Sequence, residues 1–260
     1  MEIPFFKFEA SGNNYLLLQE ESVNRNFNIG NLITKMANKN YGIGSDGALI
    51  LSNTYRPIPY VDIYNADGSK AELCINGLRI IGKYLFDTCF KNKTKIRLKT
   101  ASGIYEVIHS SDNIIVKIKV TNTIKADTYQ FNDKNYQLYF LSIGNHHIYI
   151  INNRNINPNF FKRQIGKHLS QKFNSNVGLI TPISKNAFSI ITYERGSNIT
   201  LSCGSNICGA TYLLKVKKLI PENELIDVET LGGSVQTIIN DNEVSYIGTA
   251  NLICKGIYYI

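Results

Sequence analysis

Short apolar-alternating stretches recur along the chain. "YLLLQ" (15–19), "ALILS" (48–52), "VDIYN" (61–65), "KIRLKT" (95–100) and "NIIVKIKV" (113–120) have the length and the Val, Ile, Leu and Tyr content of β-strands. Helical spacing occurs in four places. "NIGNLITKMANK" (28–39) and "NFFKRQIGKHLSQ" (159–171) each have an apolar face. "NGLRIIGKYLFDTCF" (76–90) aligns Ile80, Ile81, Tyr84, Leu85 and Thr88, while "NICGATYLLKVKKL" (206–219) has Ile207, Ala210, Leu213, Leu214 and Val216 apolar.

These elements fall into two series. Cys74 and Cys203 are 129 residues apart, and each immediately precedes a predicted helix. Near that offset "SGNNYLLL" (11–18) matches "IGNHHIYI" (143–150), with Gly12 against Gly144. "SDGALIL" (45–51) matches "NVGLITP" (176–182), with Gly47 against Gly178. "LKTASG" (98–103) matches "VETLGG" (228–233), and "SDNIIVKI" (111–118) matches "NDNEVSYI" (240–247). Five matches in one order predict two copies of one α/β fold of roughly 120 residues, too long for a solenoid repeat. Residues 1–118 with 250–260 form one half and residues 119–249 the other. The polar segment "TNTIKADTYQFNDKNYQ" (121–137) reads as the linker.

Composition narrows the class. The chain has 260 residues, 43% hydrophobic and 18% charged, which is globular composition with enough length for a core. "MEIPFFKFEA" has no basic start and no apolar h-region, so no signal peptide is expected, and no apolar run is long enough to span a bilayer. Five cysteines without framework spacing fit reduced thiols in the cytoplasm. The net charge of +8 is spread over clusters such as "KNKTKIRLK" (91–99) and "KVKK" (215–218), read as solvated faces rather than a nucleic-acid surface. No Cys/His grouping has zinc spacing, so no metal is expected.

A cysteine at a helix start has a specific use. The unpaired N–H groups and partial positive charge there lower a thiol's pKa and attract a carboxylate. Cys89 and Cys254, inside apolar runs, read as buried structural thiols. Cys74 and Cys203 occupy equivalent positions in the two copies. Facing each other, they could take a proton from one side of a carbon and return one to the other.

The motifs "FKFEASGNNY" (6–15), "YGIGSDGALI" (41–50), "NADGSKAELCINGLR" (65–79), "SIGNHHIYI" (142–150), "NVGLI" (176–180), "YERGSNITLSCGSNICGA" (193–210) and "ETLGGSVQ" (229–236) span the chain. With them the chain resembles the diaminopimelate epimerase family of pyridoxal-phosphate-independent amino-acid racemases. The resemblance implies an α/β (α+β) fold of two homologous domains related by a pseudo-twofold, each a mostly antiparallel curled sheet around a central helix, with the active site in the cleft between them. It implies an isomerase without cofactor that converts LL- to meso-diaminopimelate for lysine and peptidoglycan synthesis. It makes Cys74 and Cys203 the acid/base pair, with His147 and Glu194 as their polar partners. Asn13, Asn65, Asn176, Glu194 and Arg195 become substrate binders, the last four at the distal amino-carboxylate. Asn76, Gly77, Gly204 and Ser205 would cradle the proximal carboxylate. The expected partner is this small amino acid, with no membrane or nucleic acid and a homodimer possible.

Four positions depart from the family pattern. Asn14 replaces an Asp, Ile75 follows the first cysteine in place of Gly, His146 replaces a Pro, and Gly204-Ser205-Asn206 replaces Gly-Thr-Gly. A positive φ at Ile75 or Asn206 would be strained. Two other readings follow from these departures: a related racemase for another amino acid such as histidine, and a catalytically degenerate amino-acid-binding homologue. Retention of Asn65, Asn176, Glu194 and Arg195 favours the dicarboxylate substrate.

Overall fold

The structure, a computed structural model, describes residues 2–23, 28–121, 123–153 and 156–260. The chain divides into two compact units, Met1–Val116 with Gly248–Ile260, and Lys117–Ile247. In the first, strands β1 (Glu2–Ala10), β2 (Asn13–Gln19), β3 (Gly47–Ser52), β4 (Tyr60–Asn65), β5 (Lys70–Ala71), β6 (Lys95–Thr100) and β7 (Gly103–Ser110) are joined by helices α1 (Ile29–Ala37) and α2 (Ile75–Asp87). β8 (Asn113–Lys119) carries the chain onward. The second unit holds β9 (Lys125–Phe131), β10 (Lys134–Ile143), β11 (Asn145–Ile151), β12 (Asn176–Ser184), β13 (Ala187–Glu194), β14 (Asn198–Thr200), β15 (Ile226–Thr230), β16 (Gly233–Asn240) and β17 (Glu243–Gly248). Its helices are α3 (Pro158–Phe160), continued by a π-helical turn (Phe161–Ile165) into α4 (Gly166–Phe173), and α5 (Gly204–Val216).

Strand pairing repeats in kind. β1–β2 is antiparallel, β2–β3 parallel, β3–β4 antiparallel, β4–β6 parallel and β6–β7 antiparallel. The second unit gives the same sequence of senses through β10–β11, β11–β12, β12–β13, β13–β15 and β15–β16. The last strand, β18 (Asn251–Tyr259), lies antiparallel on β1, as β9 does on β10. The fold class is thus the expected one, a mixed, mostly antiparallel sheet with few helices in each unit.

Both faces of each sheet are covered, which explains why β2 and β11 bury four residues in a row, at 15–18 and 147–150. On one face of the first sheet Leu16, Leu18, Ala48, Ile50 and Tyr64 pack with Leu32, Ile33 and Met36 of α1. The matching layer joins Ile148, Ile150, Val177, Leu179 and Tyr193 to Phe161, Ile165 and Leu169. Each such side chain, fully buried, contributes about 1.5–3 kcal/mol before entropy is counted. The opposite faces receive α2 and α5. Every residue of α2 from 75 to 82 is buried, so this helix is enclosed rather than laid down on the single stripe that spacing predicted.

Other expectations need correction. The supposed linker contains β9 and the start of β10, a hairpin whose turn, Asn132-Asp133, takes positive φ at both residues; Asn122 within that segment lies outside the described residues. Polar composition reflected exposure of the hairpin, not absence of pairing. Cys89 and Cys254 are exposed, not buried, because the first lies beyond the end of α2 and the second on solvent-facing β18. Ile75 and Asn206 both have negative φ inside helices, so neither substitution strains the backbone. Among the described residues no helix is long and apolar enough to cross a membrane.

Candidate active site

Register, not sequence offset, locates the chemistry. Tyr15 stands opposite Gly47 on β3, and Gly47 opposite Asn65 on β4. In the second unit His147 stands opposite Asn176, and Val177 opposite Tyr193, which brings Asn176 level with Glu194. One row across three strands therefore reads Tyr15, Gly47, Asn65 in one unit and His147, Asn176, Glu194 in the other. Gly47 accordingly corresponds to Asn176, not to Gly178 as the sequence match had it. Gly178 instead pairs with Tyr149, and a Cβ there would come within 3.0 Å of the Tyr149 ring. The tyrosine–glycine pair has moved two residues along the strands, leaving the end of the row to His147.

Cys74 is the N-cap of α2, with extended backbone (φ −137°, ψ 108°), and its Sγ accepts a hydrogen bond from Gly77 N–H at 3.3 Å. The thiol in turn is the donor to Asn13 Oδ1. Asn13 Oδ1 lies 3.9 Å from the same sulfur. Asn13 is itself held by Asp46, whose Oδ2 accepts from Asn13 Nδ2 at 3.1 Å, Asn14 N–H at 2.9 Å and Asn14 Nδ2 at 3.1 Å. Buried Asn76 offers Oδ1 to Arg79 Nη2 at 3.0 Å rather than facing outward. Asn65, exposed at the end of β4, donates to Ser69 Oγ at 3.0 Å.

Cys203 caps α5 with nearly the same backbone (φ −124°, ψ 109°), and its side chain meets the helix through Ser205 rather than through a capping backbone N–H. Ser205 Oγ lies 3.4 Å from its sulfur and 3.2 Å from His147 Nε2. His147 is fully buried and stacks on Tyr149 with ring planes 7° apart. Its Nδ1 is 2.8 Å from the Asn145 carbonyl, which can only accept, so Nδ1 carries the proton and Nε2 the lone pair. Asn176 agrees with this tautomer: its Oδ1 accepts from Arg195 N–H at 2.9 Å, which turns its Nδ2 toward Nε2 at 3.5 Å. Burial pulls the His147 pKa down to about 4, outweighing the opposite pull of the Asn145 carbonyl. His147 is therefore a neutral base at pH 7. Glu194 Oε1 accepts from Thr200 Oγ1 at 2.6 Å, and the side chain of Arg195 is exposed.

The chain matches the family described as Diaminopimelate epimerase over residues 5–124 and 139–253. It belongs to the diaminopimelate epimerase family. It is 27% identical to a diaminopimelate epimerase of Clostridium perfringens, across 98% of both chains, and 26% identical to one of Bacillus velezensis, again across 98% of both. Among solved structures it is similar to a probable proline racemase of Agrobacterium radiobacter (TM-score 0.75, 10% identity, 99% of this chain and 92% of that one). A phenazine biosynthesis PhzF-family protein of Enterococcus faecalis gives TM-score 0.72 at 14% identity with full coverage of both. As a member of the diaminopimelate epimerase family the protein is an isomerase whose chemistry is epimerisation.

Within this epimerase the sequence motifs assemble as two clusters. Cys74, Gly77, Asn13 and Asn76 gather at the start of α2, and Cys203, Gly204, Ser205, His147 and Asn176 at the start of α5. Two supporting residues were missed. Asp46 lay in plain view within "GSDG", but its three donors come from 32 and 33 residues away. Arg79, wholly buried, ties Asn76 to Ser11 Oγ and the Thr249 carbonyl, a reach of 170 residues that no local pattern signals.

Proposed function

We propose that the protein interconverts LL- and meso-diaminopimelate by a two-thiol acid/base mechanism without a cofactor. The observation that carries this reading is that each unit sets a cysteine as N-cap of its enclosed helix, at nearly the same backbone angles. Cys74, with Gly77 N–H on its sulfur, is the thiolate that removes the α-proton. Cys203, as thiol, delivers a proton to the opposite face of that carbon. The N–H groups of the two helix starts, at Asn76, Gly77, Gly204 and Ser205, neutralise the α-carboxylate, so the developing carbanion meets fixed positive charge. Asn65, Asn176, Glu194 and Arg195 take the distal end: the guanidinium forks onto its carboxylate and the Glu194 carboxylate accepts from its ammonium.

The test is a chiral-chromatography assay of LL-diaminopimelate beside a panel of L-amino acids including histidine. Turnover confined to diaminopimelate supports the reading. Turnover of a monocarboxylate transfers it to a related racemase, and binding without turnover leaves an amino-acid-binding homologue. In heavy water, early product should carry deuterium while residual substrate stays protiated, because the thiol that donates is not the one that accepted. Return of the substrate's own proton to product points instead to a single base.

A further inference from the structure

We infer that Ser205 acts through its side chain as well as its backbone: its hydroxyl is a proton relay joining the Cys203 thiol to His147 Nε2. This deepens the proposed two-thiol mechanism and rests on it for its use in turnover.

Direction follows from the fixed end of the chain. With the His147 Nδ1 proton committed to the Asn145 carbonyl, Nε2 can only accept. The Ser205 hydroxyl at 3.2 Å therefore donates to Nε2, leaving its oxygen lone pairs for the S–H of Cys203 at 3.4 Å. Asn176, aligned by Arg195 N–H, keeps His147 in that tautomer. A proton leaving Sγ binds Ser205 Oγ while the serine's own proton passes to Nε2. Thiol and imidazole become thiolate and imidazolium, serine is regenerated, and the reverse shift restores the resting state. Burial keeps the imidazolium a short-lived state, so His147 returns its proton readily. The relay lets Cys203 serve as acid in one direction and as base in the other. At the equivalent helix position beside Cys74, Asn76 instead accepts from Arg79 Nη2 through its Oδ1.

The experiment measures two quantities on the full chain for wild type, Ser205→Ala, Ser205→Thr, His147→Gln and the Ser205→Ala/His147→Gln double variant. One is iodoacetamide alkylation of Cys203 in ligand-free protein, followed by peptide mass mapping. The other is kcat and KM from the meso side, where Cys203 must be the base. Ser205→Ala and His147→Gln should each slow Cys203 alkylation at least tenfold and lower kcat by about 10²-fold, the lower range for a positioned acid or base, with KM within about twofold. The double variant should be no slower than the slower single one, because groups acting as a unit are non-additive. Ser205→Thr, which keeps the hydroxyl, should stay within about threefold. Unchanged alkylation in Ser205→Ala, no rescue by Thr, or effects that multiply in the double variant would each overturn the relay. If Ser205→Ala fails to fold, Ser205→Gly takes its place. A wild-type protein that turns over no diaminopimelate sinks the proposed function, yet alkylation still decides the relay.

Discussion

The two units solve one folding problem and then use the solution differently. Their strands pair in the same senses, their enclosed helices begin at a cysteine of the same conformation, and their hairpins turn at Gly12 and Gly144, both with positive φ. The environments of the two sulfurs nevertheless differ. Cys74 sits among fixed groups: a helix N–H, and an amide braced by the Asp46 carboxylate. Cys203 sits beside the Ser205 hydroxyl, which itself lies within hydrogen-bond distance of the neutral His147 imidazole. The first sulfur meets a backbone N–H and an amide oxygen, the second a hydroxyl shared with an imidazole. The duplicated fold thus supplies position, while single substitutions along the shared row (Tyr15 against His147, Gly47 against Asn176, Asn65 against Glu194) change the side chains presented there.

The largest effect that could break this comparison comes from removing either sulfur. Cys74→Ala and Cys203→Ala should each lower turnover by roughly 10⁴-fold, the upper range for a positioned acid or base, and the double variant no further. Steady-state rates from both substrate directions check this. Substantial turnover in either single variant would mean the two caps are not a functional pair.

Next in size is the buried imidazole, which the Cys74 side lacks. Its folded pKa of about 4 lies below the ordinary 6.5 of the unfolded chain, so the unfolded state binds the proton first as pH falls. Stability should therefore drop as pH falls below 6.5 and level off below 4. The His147 share between pH 7 and 4.5 is about 2–3 kcal/mol. Denaturant midpoints for wild type and His147→Gln give the difference, and equal pH slopes would show that His147 does not titrate as a buried base.

Arg195 belongs to the second unit only. Arg195→Lys keeps the charge but loses the planar fork, and about 2 kcal/mol of transition-state stabilisation, near thirtyfold in kcat/KM, should go with it. An unchanged kcat/KM with diaminopimelate would remove Arg195 from the distal site and favour a substrate without that carboxylate.

How much of this was legible depended on range. The strands at 15–19, 48–52 and 61–65 and both cysteine-capped helices could be read directly, because apolar alternation and a helix start are local signals. The repeat was legible as well, since Gly12 and Gly144 must both take positive φ and so keep their identity. What failed was anything set by pairing across the sheet. Gly47 and Gly178 matched as letters, yet register aligns Gly47 with Asn176, because the tyrosine each glycine accommodates differs by two residues in strand position. The hairpin at 125–143 looked like a linker because β9 is mostly exposed and offers no apolar alternation. The two helix-capping cysteines were visible in sequence, but the tautomer of His147 depends on the Asn145 carbonyl and so on how the strand folds.

The smallest effect concerns Asp46, and it separates bracing from catalysis. One carboxylate oxygen accepts three N–H groups, from Asn13 and twice from Asn14, and Asn13 in turn lies beside Cys74. Asp46→Asn preserves size while removing the charge, and an amide rotated to offer its oxygen still meets the same donors, though less strongly. The bonds are part-buried, so weakening them should cost about 1 kcal/mol of stability. Because the loosened group is Asn13, the kinetic loss should be of similar size, about fivefold, and should appear in the reactivity of Cys74 while alkylation of Cys203 stays at the wild-type rate. An equal slowing at both cysteines would mean that Asp46 supports the fold at large. A change at Cys74 alone would show that each sulfur is tuned by its own unit.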